Sequence, residues 1–413
     1  MRVELLTIGD ELLLGYTIDT NGALIARELA AVGVEIVRRT SVGDSHAEIA
    51  AGVREALDRT SAVITTGGLG PTADDMTRPA IAELFGRPLR RDESLVAMLH
   101  ERFKRFGYAM PQSNLVQAMV PEGARVLENS FGSAPGLWIE DERGRWVAML
   151  PGVPREVRGM LTDVLIPLLR ARVGDDARVV RSKTLRTTGI GESALAELLG
   201  DLGKEVDGFQ VASLPGWEGV DLRLTARDVA AADADRALSA AILKLRHPIQ
   251  KYVYDANDLA QLVLYVVEAR SLTIATAESC TGGMLGARIT SVAGSSRAYL
   301  GGVVAYANGV KTAMLGVSAE LIASHGSVSE EVAVAMADGA CTRFSSDIGI
   351  AITGIAGPAG GTSEKPVGTV WIAVRFRDVR RALGRNYVGD RDEIRRRSCQ
   401  AALDLVRRLI QET

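Results

Sequence analysis

Two stretches of the chain combine residue types that could do chemistry. The first is Glu278-Ser279-Cys280-Thr281-Gly282-Gly283, which sets a hydroxyl and a thiol on a glycine-rich turn. A strand that ends in such a turn and feeds a helix presents its nucleophile at a sheet edge, with backbone N–H groups at hand for an oxyanion. The pattern is not G-x-S-x-G, so it does not define an α/β-hydrolase. A serine nucleophile needs a base. Of the four histidines in the chain, only His325 lies in the same C-terminal block, in Ser324-His325-Gly326-Ser327. That segment reads as a surface turn, and a Ser-His-Asp triad is poorly supplied. The alternative base is a lysine whose pKa is lowered by burial. Tyr306-Ala307-Asn308-Gly309-Val310-Lys311 offers one beside a tyrosine. Taken from the residues alone, Lys311 has the usual fate of a solvated lysine at a helix start. Cys280 reads as a small buried residue of the turn.

The second constellation is N-terminal and acidic. Gly9-Asp10-Glu11 follows one strand signal, and Gly67-Gly68-Leu69-Gly70-Pro71-Thr72-Ala73-Asp74-Asp75 follows another. Glycines let backbone N–H groups approach a phosphate, and the helix start beyond adds positive potential. Carboxylates repel phosphate. Their sensible use there is to hold a hard divalent cation that bridges to it or activates water. Asp74 and Asp75 could instead cap the helix that begins at Met76, but a cap does not need both of them and the loop as well.

The elements that position these loops alternate. Strands are expected at 3–8, 34–37 and Ala62–Thr66. Between them lie a helix capped by Thr20 and another opened by Ser45. Such alternation implies parallel strands joined by helical crossovers, in a block closing after Pro151-Gly152-Val153-Pro154, near residue 172. The polar Gly174-Asp175-Asp176 marks a boundary. A small α+β module follows, with strands near 179–185, 209–214 and 220–226 and helices near 193–199 and 230–245. Its Thr188-Gly189-Ile190-Gly191-Glu192 could be a nucleotide loop, but a plain turn before a helix is the preferred reading. The last block has a helix at Leu259–Ala269, strands at 272–275, 302–305, 348–352, Thr369–Phe376 and 382–388, a helix after Ser329, and a closing helix from Asp392. The expected architecture is α/β in three domains, 1–172, 173–254 and 255–413.

Several motifs carry a family resemblance. Thr65-Thr66-Gly67-Gly68-Leu69-Gly70-Pro71-Thr72-x-Asp74-Asp75-x-Thr77 resembles the signature of the molybdopterin-binding, MoaB/MogA-like domain in the form found in CinA proteins. Thr7-Ile8-Gly9-Asp10-Glu11-Leu12 and Leu150-Pro151-Gly152-Val153-Pro154-Arg155-Glu156 agree with it. The resemblance implies a three-layer α/β domain for 1–172, tied to molybdopterin binding or to metal-dependent hydrolysis of ADP-ribose. Gly67, Gly68 and Gly70 would bind substrate, and Asp10, Glu11, Asp74 and Asp75 would bind a divalent cation. There is one departure. Where relatives carry Thr-x-Glu-Ala, this chain has Thr77-Arg78-Pro79-Ala80, which lacks that acidic side chain.

Five further motifs, in order, resemble the C-terminal domain of the same family. They are Ala277-Glu278-Ser279-Cys280-Thr281-Gly282-Gly283, Tyr306-x-Asn308-x-x-Lys311, Thr353-Gly354-Ile355-Ala356-Gly357-Pro358, Lys365-Pro366-Val367-Gly368-Thr369-Val370 and Gly389-Asp390-Arg391. That domain is the nicotinamide-nucleotide amidase fold. The resemblance implies hydrolysis of nicotinamide mononucleotide to nicotinate mononucleotide and ammonia, without a cofactor. Ser279 would be the nucleophile, Lys311 its base, and Tyr306 an assistant. Glu278, Thr281, Gly282, Gly283, Asn308, Thr353 and Gly354 would lie on the substrate. Arg391 and Arg395 would hold the 5′-phosphate, a task suited to forked donors.

Bulk properties narrow the classes. Net charge is −3, and neither a basic stripe nor interleaved aromatics stands out, which argues against direct nucleic-acid binding. No signal-peptide pattern precedes the first strand, no apolar run is long enough for a bilayer, and the three cysteines are dispersed. The expectation is a cytoplasmic enzyme acting on small nucleotides, with no membrane partner and a homodimeric assembly. The rival reading is a pterin- or nucleotide-binding competence or damage-response protein without amidase activity.

Overall fold

A computed structural model describes residues 1–105, 107–174 and 178–412. The Asp175-Asp176 boundary and Thr413, the end of the last expected domain, lie outside the described residues. By its contacts the chain divides into two compact units, Met1–Ser182 with Thr225–Leu238, and Lys183–Leu224 with Ser239–Thr413.

The N-terminal unit is built on a six-stranded sheet. Its order is Glu35–Val42, Arg2–Ile8, Ala62–Thr66, Trp146–Leu150, Gly136–Glu140, Arg125–Leu127. The first four strands run parallel, and the last two pair antiparallel at the edge. Alternate residues of each strand feed opposite cores. Leu6, Ile8, Val63, Val147 and Met149 pack with the helices His46–Thr60, Thr77–Leu84 and Glu93–Arg105. Val3, Leu5, Ile64, Ala148 and Leu150 pack with Thr20–Ala30, Pro154–Met160 and the helical segment after it. A sheet covered on both faces needs apolar residues at both parities, which is why 62–64 and Trp146–Leu150 read as unbroken apolar runs. Ser45 caps its helix as expected, its hydroxyl accepting from the Glu48 N–H at 3.3 Å. Thr20 does not cap the preceding one. Asp19 does, through the Gly22 N–H at 2.7 Å, because a carboxylate one residue earlier accepts that bond better than a hydroxyl.

A small sheet follows, ordered Glu205–Val206, Phe209–Pro215, Val220–Ala230, Arg178–Thr187, Val253–Tyr254. The C-terminal sheet is ordered Tyr299–Val304, Ile274–Glu278, Ile348–Gly354, Thr369–Phe376, Val379–Asn386. Its first three strands are parallel and the remaining pairs antiparallel. Here the two faces differ in size. Ile274, Ile348, Ile350, Ile352, Ile372 and Val374 meet the helices Leu259–Ala269, Met284–Thr290 and Arg391–Glu412. Ala275, Ala277, Ala351 and Ala373 face the helix Glu330–Phe344. The small face draws that helix close, to where a Cβ on Gly349 would strike the Ala337 carbonyl. The closing helix begins at Arg391, one residue before the expected start.

Candidate functional site

The strand Ile274–Glu278 is central, flanked in parallel by Tyr299–Val304 and Ile348–Gly354. Its end lies where ligands collect in such sheets, beyond the carboxyl ends of parallel strands. The Ser279 N–H is tied to the Ile352 carbonyl at 2.8 Å, and the Ala305 N–H to the Glu278 carbonyl at 2.7 Å, so both neighbouring strand ends hold the turn.

Lys311 comes from the next crossover. It sits in the first turn of the helix Asn308–Leu315 and is 1% exposed, against the solvated position its type suggests. Its Nζ lies 3.1 Å from Ser279 Oγ, and it donates to the carbonyls of Ala305 at 2.8 Å and Tyr306 at 3.2 Å. Burial pushes the amine below its usual pKa of 10.5, and among the described residues no carboxylate beside it restores the charge. A neutral amine that spends its two N–H bonds on two carbonyls has a lone pair left for the Ser279 O–H.

The turn after Ser279 is fixed by a residue expected on the substrate. Glu278 is 2% exposed, and its carboxylate accepts from the N–H groups of Gly283 and Leu285 at 3.0 Å and of Gly286 at 2.8 Å. It therefore binds the loop and the start of the helix Met284–Thr290, and its substrate-binding assignment is corrected. The Gly282 N–H turns back to the Ser279 carbonyl at 3.1 Å, with φ of 59° at Gly282 allowing the reversal. Among the described residues, the N–H groups of Cys280 and Thr281 are the donors of this turn left for an oxyanion.

The other expected residues fall at graded distances from the chemistry. Cys280 is buried as expected, and burial pushes its thiol up to about 12, which leaves it protonated and inert. Tyr306 is exposed, and its hydroxyl accepts from Arg391 at 3.1 Å. Arg391 also donates to the Gly357 carbonyl at 2.7 Å, joining two of the motif loops. Arg395 donates to the Thr281 carbonyl at 2.8 Å, while its Nε and the buried Thr281 Oγ1 have no partner among the described residues. Thr353 is buried, and its hydroxyl donates to the Ser327 carbonyl at 2.7 Å, so it braces a loop; its substrate role is corrected. Gly354 is half-buried in the neighbouring strand end, Asn308 is exposed at the start of its helix, and Gly283, with φ of 94°, precedes the next one. His325 is paired with Glu331 at 3.2 Å.

The N-terminal loops line a second cleft of about 560 Å³ with Glu11, Asp44, Gly67, Gly68, Gly70, Asp74, Asp75 and Glu156 in its wall. Gly67, with φ of 108°, has no room for a Cβ against the Ile8 carbonyl. Asp75 is not turned to a ligand. Its carboxylate accepts from the Gly70 N–H at 2.7 Å, the Thr72 N–H at 2.8 Å and the Thr72 hydroxyl, and its assignment to a cation is corrected. Asp10 and Asp44 exchange backbone bonds, Asp10 N–H to Asp44 at 2.9 Å and Asp44 N–H to Asp10 at 3.2 Å. Burial raises the Asp44 pKa, and the charges of Asp10, Glu11 and Asp74 raise it further. Sequence reasoning passed over Asp44, although Gly43-Asp44 ends its strand with the same pair of residues as Gly9-Asp10. Among the described residues, no three His, Cys, Asp or Glu side chains converge as a metal site. The carboxylates as they stand do not form a cation cage. Arg78, beside the Pro79 departure, is 1% exposed and binds the carbonyls of Val116 at 2.9 Å and Leu69 at 3.0 Å, supporting the loop from below.

Taken together, these are two α/β units, one with an acidic glycine-loop cleft and one with a buried serine–lysine pair. The chain matches a "probable molybdopterin binding domain" over residues 4–171, the "damage-inducible protein CinA KH domain" over 182–254 and the "CinA C-terminal domain" over 256–410. It is 59% identical over 411 residues to a CinA-like protein of Gemmatimonas aurantiaca, spanning 99% of this chain and 96% of that one. A CinA-like protein of Salinibacter ruber is 41% identical, spanning 99% and 100%. A solved CinA superfamily protein from Klebsiella pneumoniae is 35% identical over 38% of this chain and 97% of its own, with a TM-score of 0.37. The chain belongs to the CinA family, whose two larger domains occur in enzyme families. No helix among the described residues is long and apolar enough to cross a membrane.

Proposed function

We propose that the C-terminal unit hydrolyses the carboxamide of nicotinamide mononucleotide. The observation that carries this reading is the 3.1 Å contact between a fully buried Lys311 Nζ and Ser279 Oγ. Ser279 Oγ attacks the carboxamide carbon while Lys311 takes its proton. The N–H groups of Cys280 and Thr281 meet the developing oxyanion, held in place by the Glu278 brace. Lys311 then returns its proton to the amide nitrogen, and ammonia leaves with a nicotinoyl ester on Ser279. Water, deprotonated by Lys311, cleaves the ester and frees nicotinate mononucleotide. Arg391 and Arg395, at the start of the last helix, supply the positive charge for the 5′-phosphate. The test is incubation of the full chain with nicotinamide mononucleotide. Equimolar ammonia and nicotinate mononucleotide support the reading; binding without ammonia release supports a binding protein instead.

A second reading concerns the N-terminal cleft: hydrolysis of the diphosphate of ADP-ribose. The crowding of Asp44 by Asp10, Glu11 and Asp74 favours it, since a divalent cation would relieve that repulsion. Without a preformed cage the cation would bind weakly. AMP release from ADP-ribose should then rise with added magnesium up to about the millimolar range and vanish in excess chelator. Full activity in chelator contradicts it.

A further inference from the structure

Within the second unit lies a cavity of about 540 Å³ that contains none of the residues assigned above to catalysis or binding. One wall is the Thr188–Glu192 loop, read from sequence as a plain turn; another is the turn at 215–220; the third comprises Leu383, Arg385 and Tyr387 with residues of the last helix. Its volume is that of an ordinary small-molecule pocket.

Four features point to what it takes. First, Gln400 is 3% exposed and lines the cavity. Its amide gives one bond to the Thr188 hydroxyl, at 3.2 Å, and the other polar atom has no partner among the described residues. Whichever way the amide is turned, one of its two polar atoms is left over, and a buried orphan of this kind costs stability unless a ligand meets it. Second, Arg385 and Arg397 make no ion pair among the described residues; each donates to one backbone carbonyl, at 3.2 Å. Of the three acids that line the cavity, Glu192 on the rim has no ion pair among the described residues, and the other two are engaged. Asp404 is bound by Arg407 at 2.7 Å and Arg408 at 2.8 Å, and Glu218 by Arg186 at 3.4 Å and Arg288 at 3.1 Å. Third, the helix Glu192–Leu199 begins at Gly191 with no side-chain cap among the described residues, so its first N–H groups open on the same wall. The loop before it lies close enough to the last helix that a Cβ on Gly189 would come within 2.6 Å of Arg408. Fourth, Ile190, Trp217, Leu383 and Leu405 supply an apolar surface for a planar ring.

We propose that this cavity is a second nucleotide site, in which Arg385 and Arg397 hold the phosphate of a phosphorylated nucleoside and the spare polar atom of Gln400 meets the edge of its base. Calorimetry on the full chain with AMP as probe tests it. AMP should bind the parent protein and Ser279→Ala equally. It should bind the Arg385→Ala/Arg397→Ala double variant at least about tenfold more weakly, the loss expected when charge-assisted phosphate contacts go. Arg385 is exposed and Arg397 half-buried, and each gives up a single bond to a backbone carbonyl, so that variant should fold, as circular dichroism would show. Glu192→Gln should tighten AMP binding, because it removes a carboxylate from the rim that no described group neutralises. That gain cannot come from misfolding. Gln400→Leu should weaken AMP without changing the affinity for inorganic phosphate. The proposal is overturned if AMP does not bind, if the arginine variant binds as the parent does, or if inorganic phosphate binds as tightly as AMP.

Discussion

The two glycine loops make the same use of a carboxylate and differ in what that frees. After Ser279, Glu278 gathers three N–H groups of the turn. After Gly70, Asp75 gathers two N–H groups and a hydroxyl. In each case the acid next to the glycines is a brace. In the C-terminal loop the proposed reacting groups are other residues, a serine at the turn and a lysine from the helix Asn308–Leu315, already 3.1 Å apart. In the N-terminal loop the carboxylates are themselves the expected reacting groups, and using one as a brace leaves the remainder too dispersed to cage an ion. A carboxylate inside a glycine loop is thus poor evidence for a ligand until its N–H partners are counted.

The comparison can be broken at several points. Apart from removal of Ser279 or Lys311, the largest effect is expected from the braces themselves. Glu278→Gln keeps the shape but turns an N–H pair toward groups that are already donors, which should cost about 1–3 kcal/mol and depress turnover of nicotinamide mononucleotide more than its KM. Asp75→Asn should cost a similar or smaller amount, about 1–2 kcal/mol, seen in thermal unfolding of the N-terminal unit. It should leave ammonia release untouched, and an equal loss there would erase the distinction between the two loops.

A subtler prediction concerns pH. Because burial lowers the Lys311 pKa, the amine is neutral at a pH where a solvent lysine is still charged. Activity should therefore rise with pH through a midpoint below 10.5, not at it, in a kcat/KM profile. A midpoint at the solvent value would mean that Lys311 is not the base. The smallest effect belongs to Cys280→Ala. With the thiol pushed up to about 12, turnover should stay within about threefold of the parent.

Much of this arrangement was legible in one dimension. Period and punctuation located Ala62–Thr66, Leu259–Ala269 and Thr369–Phe376 to the residue, because each is an apolar run with a clear stop. The serine turn and its lysine were legible as motifs. Their burial was not, since Lys311 is buried by a bend that brings its amine back onto the carbonyls of Ala305 and Tyr306, and no local pattern encodes that return. Glu278, Thr353 and Asp75 were misassigned for one reason: their partners are backbone groups, joined at Asp75 by the Thr72 hydroxyl, and sequence displays side chains without their backbone surroundings. Asp44 was missed because its neighbours come together only when two parallel strands end side by side.

The central claim is that Ser279 and Lys311 act as one catalytic unit. Its most direct test is ammonia release from nicotinamide mononucleotide by the purified full chain, compared with Ser279→Ala, Lys311→Ala and the double variant, with substrate binding followed in parallel. Each single variant should lose at least about a thousandfold in turnover while still binding substrate, and the double should be little worse than either. Near-parental turnover in Ser279→Ala, or losses that multiply in the double variant, would contradict the account.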